Sequence, residues 1–550
     1  MATTDDVEAS NGRISPARRP SAEQNGDFKI HAAFEELAHA KRGLKQRHIQ
    51  MIALAGTIGT GLFLATGKAL ANGGPLGIIL AYGIVGLLIC AVVLSIAELS
   101  ALVPLSGGII RHAEWFVDPA LAFAQGWNSV YANAILLPAE MVACAVIIDY
   151  WTHINHAVWI TVLGGVLVFS NFLLISVYGE LEFIFAILKI ALIVGVNILS
   201  ICITAGAGPQ GQVIGFRFWR DPGPFVQYLG IPGSWGQFVG FWRVLVSAAY
   251  AFSNVENISV AGAETQNPRQ NIPKAAKRVF WRIFVFYMST IFFIGLIVSS
   301  ADKGLTARTG DAGASPFAIA AANVGIRAVP SIINAVVVTS AWSAANSGKS
   351  ASPMLVGTRT LYGLALDGHA PGMFRRTNRF GTPWISVSAV GVFMLLGYLT
   401  LSEAASVVFG WLQDLVSAAS FVHWINIEIV YLRFFYGCKK QGISRDELPW
   451  KGPLQPYAAW VALVSFTTLL ITGGFYVFID EQWSPQSFVS SYFNVPLILI
   501  LYFGYKVLRG TKLVPLHEMP IRGFLEVARR NPEPVIPRPR GWNKLSVLWA

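Results

Sequence analysis

Apolar stretches of about 20 residues recur along most of this 550-residue chain, and a helix rising 1.5 Å per residue needs about that length to cross a hydrocarbon core roughly 30 Å thick. Read on that criterion the sequence holds about twelve spans, at 49–71, 76–103, 126–149, 158–178, 182–205, 238–261, 281–300, 331–366, 384–401, 405–434, 458–478 and 492–509. Lipid offers backbone groups no hydrogen bonds, so segments of this kind have to be helical, and the expected class is an all-α polytopic membrane protein. Composition agrees. Only 13% of residues are charged and mean hydropathy is +0.53, against about 25% charged in soluble domains. The 52 glycines and 28 prolines are tolerated in membrane helices, where neighbouring helices satisfy the freed backbone.

The net charge of +11 does not imply nucleic acid, because the basic residues are dispersed between apolar spans rather than gathered on a polar domain. Cys90, Cys144, Cys202 and Cys438 lie in or beside apolar stretches without metal-ligand spacing, so neither a metal nor a cofactor is expected. Residues 1–48 and 510–550 read as polar tails around a membrane domain at 49–509, and the first span reads as an uncleaved anchor. Arg269, Lys274, Lys277 and Arg278 follow the sixth span, Arg375, Arg376 and Arg379 the eighth, and Lys439, Lys440, Arg445 and Lys451 the tenth. Positive charge is retained on the cytoplasmic side, so both termini are expected inside.

Two spans contain what a continuous membrane helix disfavours. The run Gly56-Thr57-Ile58-Gly59-Thr60-Gly61 places three glycines in six residues, consistent either with a discontinuous helix or with close approach of a second helix. The segment Ala251-Phe252-Ser253-Asn254-Val255-Glu256-Asn257 puts two amides, a hydroxyl and a carboxylate inside the sixth span. If the chain is two inverted five-helix halves plus two further helices, the first and sixth spans correspond, and paired weak points of this kind indicate a transporter's central site. N–H groups at a helix start would face a substrate carboxylate, and freed carbonyls of the sixth span its ammonium.

Longer blocks carry a resemblance. GLKQRHIQMIALAGTIGTGLFLATG, AELSALVPLSGG, FVDPALAFAQGWN, AGAETQNPRQNIPKA and SRDELPWKGPLQPY occur in that order, and from about Gly43 to Lys506 the chain resembles the fungal amino-acid permeases of the amino acid, polyamine and organocation superfamily. That resemblance implies an inverted-repeat fold of ten core helices plus two, and secondary active uptake of amino acids driven by protons. It implies that Thr57, Ile58, Gly59, Thr60 and Gly61 lie in the segment that holds the substrate carboxylate, and Ala251, Phe252 and Ser253 in the segment that holds the amine. It also implies plasma membrane rather than vacuole. The chain departs from the family at Ser253-Asn254-Val255-Glu256-Asn257, and between SAWSAANS and TRTLYGLA, where GKSASPMLVG is longer than the usual spacer and predicts a bend or bulge. GKS here is no phosphate loop, since Ser343 occupies the place of its first glycine.

Ionisable residues within spans are functional by default. Glu256 is a candidate substrate contact, and Glu140 and Lys189 are candidates for coupling and gating; for Lys189 the simpler reading is a side chain that snorkels to the cytoplasmic face. Both carboxylates have a structural alternative as hydrogen-bonded helix locks, and Glu98 reads as a tie for cytoplasmic loops. Trp342, Trp411 and His423 read as packing residues. Asn257-Ile258-Ser259 fits a glycosylation pattern but falls inside a span. The expected function is import of amino acids, of broad or neutral preference, with protons and membrane lipid as partners and ubiquitin-ligase machinery acting on tail lysines such as Lys29, Lys41 and Lys45. A non-transporting nutrient sensor on the same scaffold is the alternative, as is a permease for basic amino acids, γ-aminobutyrate or polyamines. An intramembrane enzyme is not expected, because the sequence has no HExxH and no nucleophile paired with a base.

Overall fold

The computed structural model describes residues 59–105, 107–172, 178–209, 211–256, 267–305, 315–346, 352–379, 381–479 and 482–533. Among these residues the regular structure is helical, with no strand. Eight helices are long and apolar enough to cross a bilayer, and the bent pair Pro485–Tyr492 and Asn494–Arg509 makes a ninth. Spans 49–71, 158–178 and 238–261 are present as shorter pieces, so each expected span has a helical counterpart.

The first described pieces are α1 (Thr60–Phe63) and α2 (Ala65–Leu102). α2 holds the end of the first span and all of the second, separated by a kink at Gly74, whose φ of 75° is left-handed. A side chain is excluded there twice over, since a Cβ would also lie 2.7 Å from the Pro224 carbonyl. Beyond it come α3 (Ile109–Phe116) and α4 (Pro119–Ile148). α4 starts where Pro119 takes a first-turn position that needs no N–H and Asp118 accepts from the Leu121 amide at 2.7 Å. α5 (His156–Phe172), α6 (Tyr178–Thr204) and α7 (Gly233–Ala251) complete the first six spans.

The seventh span is α8 (Pro268–Arg282), a widened π-type stretch at Ile283–Met288, and α9 (Ser289–Ile297) in sequence. The long 331–366 run is two helices, α10 (Ala328–Asn346) and α11 (Pro353–Leu366). Pro353 cannot donate into a continuing ladder and Ser352 is extended, with its hydroxyl on the Ala345 carbonyl at 2.7 Å. The expected bend is therefore a full interruption; residues 347–351 lie outside the described residues. α12 (Trp384–Val392), α13 (Ala405–Lys440), α14 (Tyr457–Thr472), α15 (Pro485–Tyr492), α16 (Asn494–Arg509) and α17 (Ile521–Arg530) follow.

α4 and α13 pack against each other along the middle of the bundle, and α7 lies against α2. The window of each of α4 and α13 is 83% buried, against 33% for α12 and α14, which makes the first two the inner pillars and the latter two the lipid-facing rim. At one end, where the start of α8 and the connection after α13 gather, the C-terminal segment straps the bundle. This basic end is held by the Arg433 guanidinium on the Phe116 and Val514 carbonyls, by Gln441 on the Leu516 and Met519 carbonyls, and by Phe524 stacked on Trp115 at 5.0 Å. Glu98 is tied there by Arg445 at 2.7 Å and by the Gly452 amide at 2.7 Å, as its sequence position suggested.

Candidate functional site

A helix that begins inside the membrane leaves its first N–H groups without intrahelical carbonyls. α1 begins in this way: Gly59 is extended (φ −138°, ψ −154°), Thr60 opens the turn, and Leu64 breaks the path before α2. The sixth span breaks opposite, where α7 ends at Ala251 and Phe252–Glu256 turn, with Asn254 left-handed at φ 67°. The two breaks touch. A Cβ on Gly61 would lie 2.6 Å from Ala251 Cα, so the glycine serves close approach as well as interruption, and both readings of the glycine run hold. One carbonyl freed at the α7 end, that of Ala251, accepts from the Tyr287 hydroxyl at 3.1 Å, and Tyr287 in turn stacks on Phe252 at 4.8 Å.

Between the breaks lies a narrow cavity of about 20 Å³, lined by Gly59, Gly61, Leu136, Glu140, Tyr250, Ala251, Ser253, Asn254 and Ala344. Its wall joins α1, α4, α7 and α10. Glu140, on α4, is 5% exposed. Its Oε1 accepts from the Thr60 hydroxyl at 3.1 Å and from the Tyr250 hydroxyl at 3.4 Å, while Thr60 and Tyr250 stand 3.0 Å apart. Its Oε2 is buried with no hydrogen-bond partner among the described residues. A Cβ at Gly59 would come 3.2 Å from Glu140 Oε1, so a side chain there would press on the carboxylate. Phe409 of α13 closes edge-on over Tyr250 at 5.9 Å.

The expected residues divide around this cavity. Gly59, Gly61, Ala251 and Ser253 line it, Thr60 holds its carboxylate, and Glu140 is that carboxylate. The Ser253 hydroxyl is turned back onto the Tyr250 carbonyl at 2.8 Å. Phe252 is turned away from it into packing with Tyr82 and Tyr287. Glu256 stands apart from the lining, with the Trp424 indole donating to it at 3.1 Å. Lys189 of α6 is 2% exposed, and its charge reaches Glu140. Trp342 packs as expected, its indole on the Leu163 carbonyl at 3.3 Å. Thr57 and Ile58 lie outside the described residues, as does Asn257-Ile258-Ser259. Sequence reasoning missed Leu136, Tyr250 and Ala344, while Asn254 lies in the polar segment it singled out. Leu136 stands one helical turn from Glu140, and Tyr250 directly precedes the segment singled out, so each had a positional signal.

Residues 48–517 match the model of the family described as amino acid permease. The chain belongs to the amino acid permease family. A dicarboxylic amino acid permease of Saccharomyces cerevisiae is 35% identical over 537 residues, covering 96% of this permease and 87% of that one. A proline-specific permease of Emericella nidulans is 37% identical, with 98% of each chain covered, and a lysine-specific permease of S. cerevisiae is 36% identical over 86% of this chain and 77% of the other. Among solved structures, a manganese transporter of Eremococcus coleocola superposes with a TM-score of 0.56 at 12% identity, covering 94% of this chain and all of that one. That likeness is one of fold. Membership of the permease family makes amino-acid transport the activity of this chain.

Proposed function

We propose that this permease imports amino acids across the plasma membrane as a proton symporter, exposing the cavity between the two helix breaks alternately to each side. The observation that supports this most directly is Glu140, whose single oxygen gathers hydroxyls from the first and sixth spans while the other stays unpartnered. As a carboxylate it accepts from both Thr60 and Tyr250. Taking a proton turns one oxygen into a donor and weakens those charge-assisted bonds, so protonation loosens the connection between the two broken spans. Lys189, buried within reach of the same charge, is the second member of the coupling pair. Amides of the glycine run, including the Gly59–Gly61 segment, would bind the substrate carboxylate. Carbonyls of the Ala251–Ser253 turn would accept its ammonium.

In this reading the basic end faces the cytoplasm, both tails lie inside, and the membrane domain covers 49–509 with ubiquitin-ligase machinery acting on the tails. The names of the relatives point to dicarboxylic, proline and lysine substrates, so relatedness alone does not choose among them. The coupling roles are tested by Glu140→Gln and Lys189→Met, compared for concentrative uptake and for substrate exchange across a membrane without a proton gradient. Expected is loss of concentrative uptake in both with exchange retained; proton-driven accumulation persisting in either variant would remove that residue from the coupling step.

A further inference from the structure

Beyond Leu64 the first span is buried almost all round: Thr66, Ala69 and Leu70 have no exposed surface. Lys68, in the midst of them, is exposed. Its ammonium nonetheless points into the bundle, because a Cβ placed on Gly410 of α13 would lie 3.0 Å from Nζ. The residue next to Gly410 is Phe409, which closes over Tyr250 of the cavity wall. Lys68 thus stands with its ammonium against the α13 segment that covers the cavity, at the end of the bundle opposite the basic one.

The charges that reach Lys68 are those of Arg243 and Asp414. Those two already satisfy each other. Arg243, on α7, donates from Nη2 to both Asp414 oxygens at 2.8 Å, and Tyr476 donates to Asp414 Oδ2 at 3.0 Å. Arg243 also lies 4.3 Å above the Tyr476 ring. Both partners are buried, at 7% and 4% side-chain exposure. Two cations therefore lie near one carboxylate, and the one left over is Lys68, which has no hydrogen bond or ion pair among the described residues. A cleft of one sign with low-dielectric walls concentrates ions of the other sign and speeds their entry.

We propose that Lys68 is an entry subsite for the side-chain carboxylate of an anionic amino acid, and that the substrates of this permease include acidic amino acids. This rests on the transport reading above and replaces the neutral preference expected from sequence with a class chosen by charge. A substrate with one carboxylate uses it at the glycine run; a substrate with two has a second to offer Lys68. The Arg243–Asp414 pair keeps its own charge satisfied and leaves the lysine available.

The test is uptake of radiolabelled L-aspartate and L-proline by permease-deficient cells expressing the wild type, Lys68→Gln or Lys68→Arg, with surface amounts matched by a fluorescent fusion. Expected is L-aspartate uptake by the wild type, a rise in its KM of about tenfold in Lys68→Gln, a proline KM changed by less than about twofold, and retention of the aspartate KM in Lys68→Arg. Equal effects on both substrates, no effect on either, or a wild type that carries proline and refuses aspartate would overturn the proposal. If the wild type at the surface carries neither, the transport reading fails, and the subsite is then read on purified protein. L-Aspartate raising the melting temperature of the wild type and not of Lys68→Gln sustains it, and equal shifts overturn it.

Discussion

The two ends of the bundle are closed by different kinds of interaction. At the basic end the buried carboxylates collect donors from segments far apart in sequence. Glu98 holds Arg445 and the Gly452 amide, Asp118 holds Lys506 at 2.7 Å and Tyr502 at 3.0 Å, and Ser95 joins Glu428 at 2.7 Å to Gln455 at 2.9 Å. Over them lies α17, with Arg269 on the Ala528 carbonyl and Arg529 on Glu447. At the opposite end Asp149 bonds His156, seven residues along the chain, and Asp414 pairs with Arg243 across two helices. The basic end is thus redundantly tied, whereas at the other end, among the described residues, a buried ion pair joins α7 to α13 beside the cavity. In the alternating-access reading proposed above, α7 and α13 are held at that end by a contact that is strong when made.

Three substitutions break that contrast at decreasing strength. The largest effect is expected at the centre, where Gly61→Ala puts a methyl 2.6 Å from the Ala251 backbone; uptake should be lost with protein still at the surface. Gly504→Ala, where nothing lies within 4 Å, should transport normally. Arg243→Met comes next. It strands Asp414 in a buried position and should lower stability by about 3–5 kcal/mol, while Arg243→Met with Asp414→Leu recovers most of the loss; melting curves in detergent with urea titration read both. Smallest is Arg529→Ala at the redundant end. Its ion pair with Glu447 has partners 63% and 41% exposed, so the change should stay under about 1 kcal/mol and leave uptake unaltered.

How much of this was legible beforehand differs by scale. The spans were, because each needs a run of apolar residues that survives any packing arrangement, and the breaks at Gly59–Gly61 and Ala251–Glu256 were visible as polar or flexible residues where helices disfavour them. Glu140 was visible as a carboxylate in an apolar helix, but its partners were not, since Thr60 and Tyr250 are separated from it by 80 and 110 residues. The Arg243–Asp414 pair escaped notice because its members lie 171 positions apart in the chain. Phe252 was correctly seen at a break, yet side-chain direction there is set by Tyr82 and Tyr287 on other helices, which no local pattern encodes. The interruption at Pro353 was foreseen as a bend and proved complete, because Ser352 turns its hydroxyl back to Ala345 instead of continuing the helix.

The central claim is proton-coupled amino-acid import, and the most direct measurement is uptake of a panel of radiolabelled amino acids into permease-deficient cells expressing this chain, at acidic and alkaline external pH, with and without an uncoupler. Saturable uptake that rises as external pH falls and collapses with the uncoupler is the result predicted. Uptake indifferent to both, or none from protein confirmed at the cell surface, would contradict it.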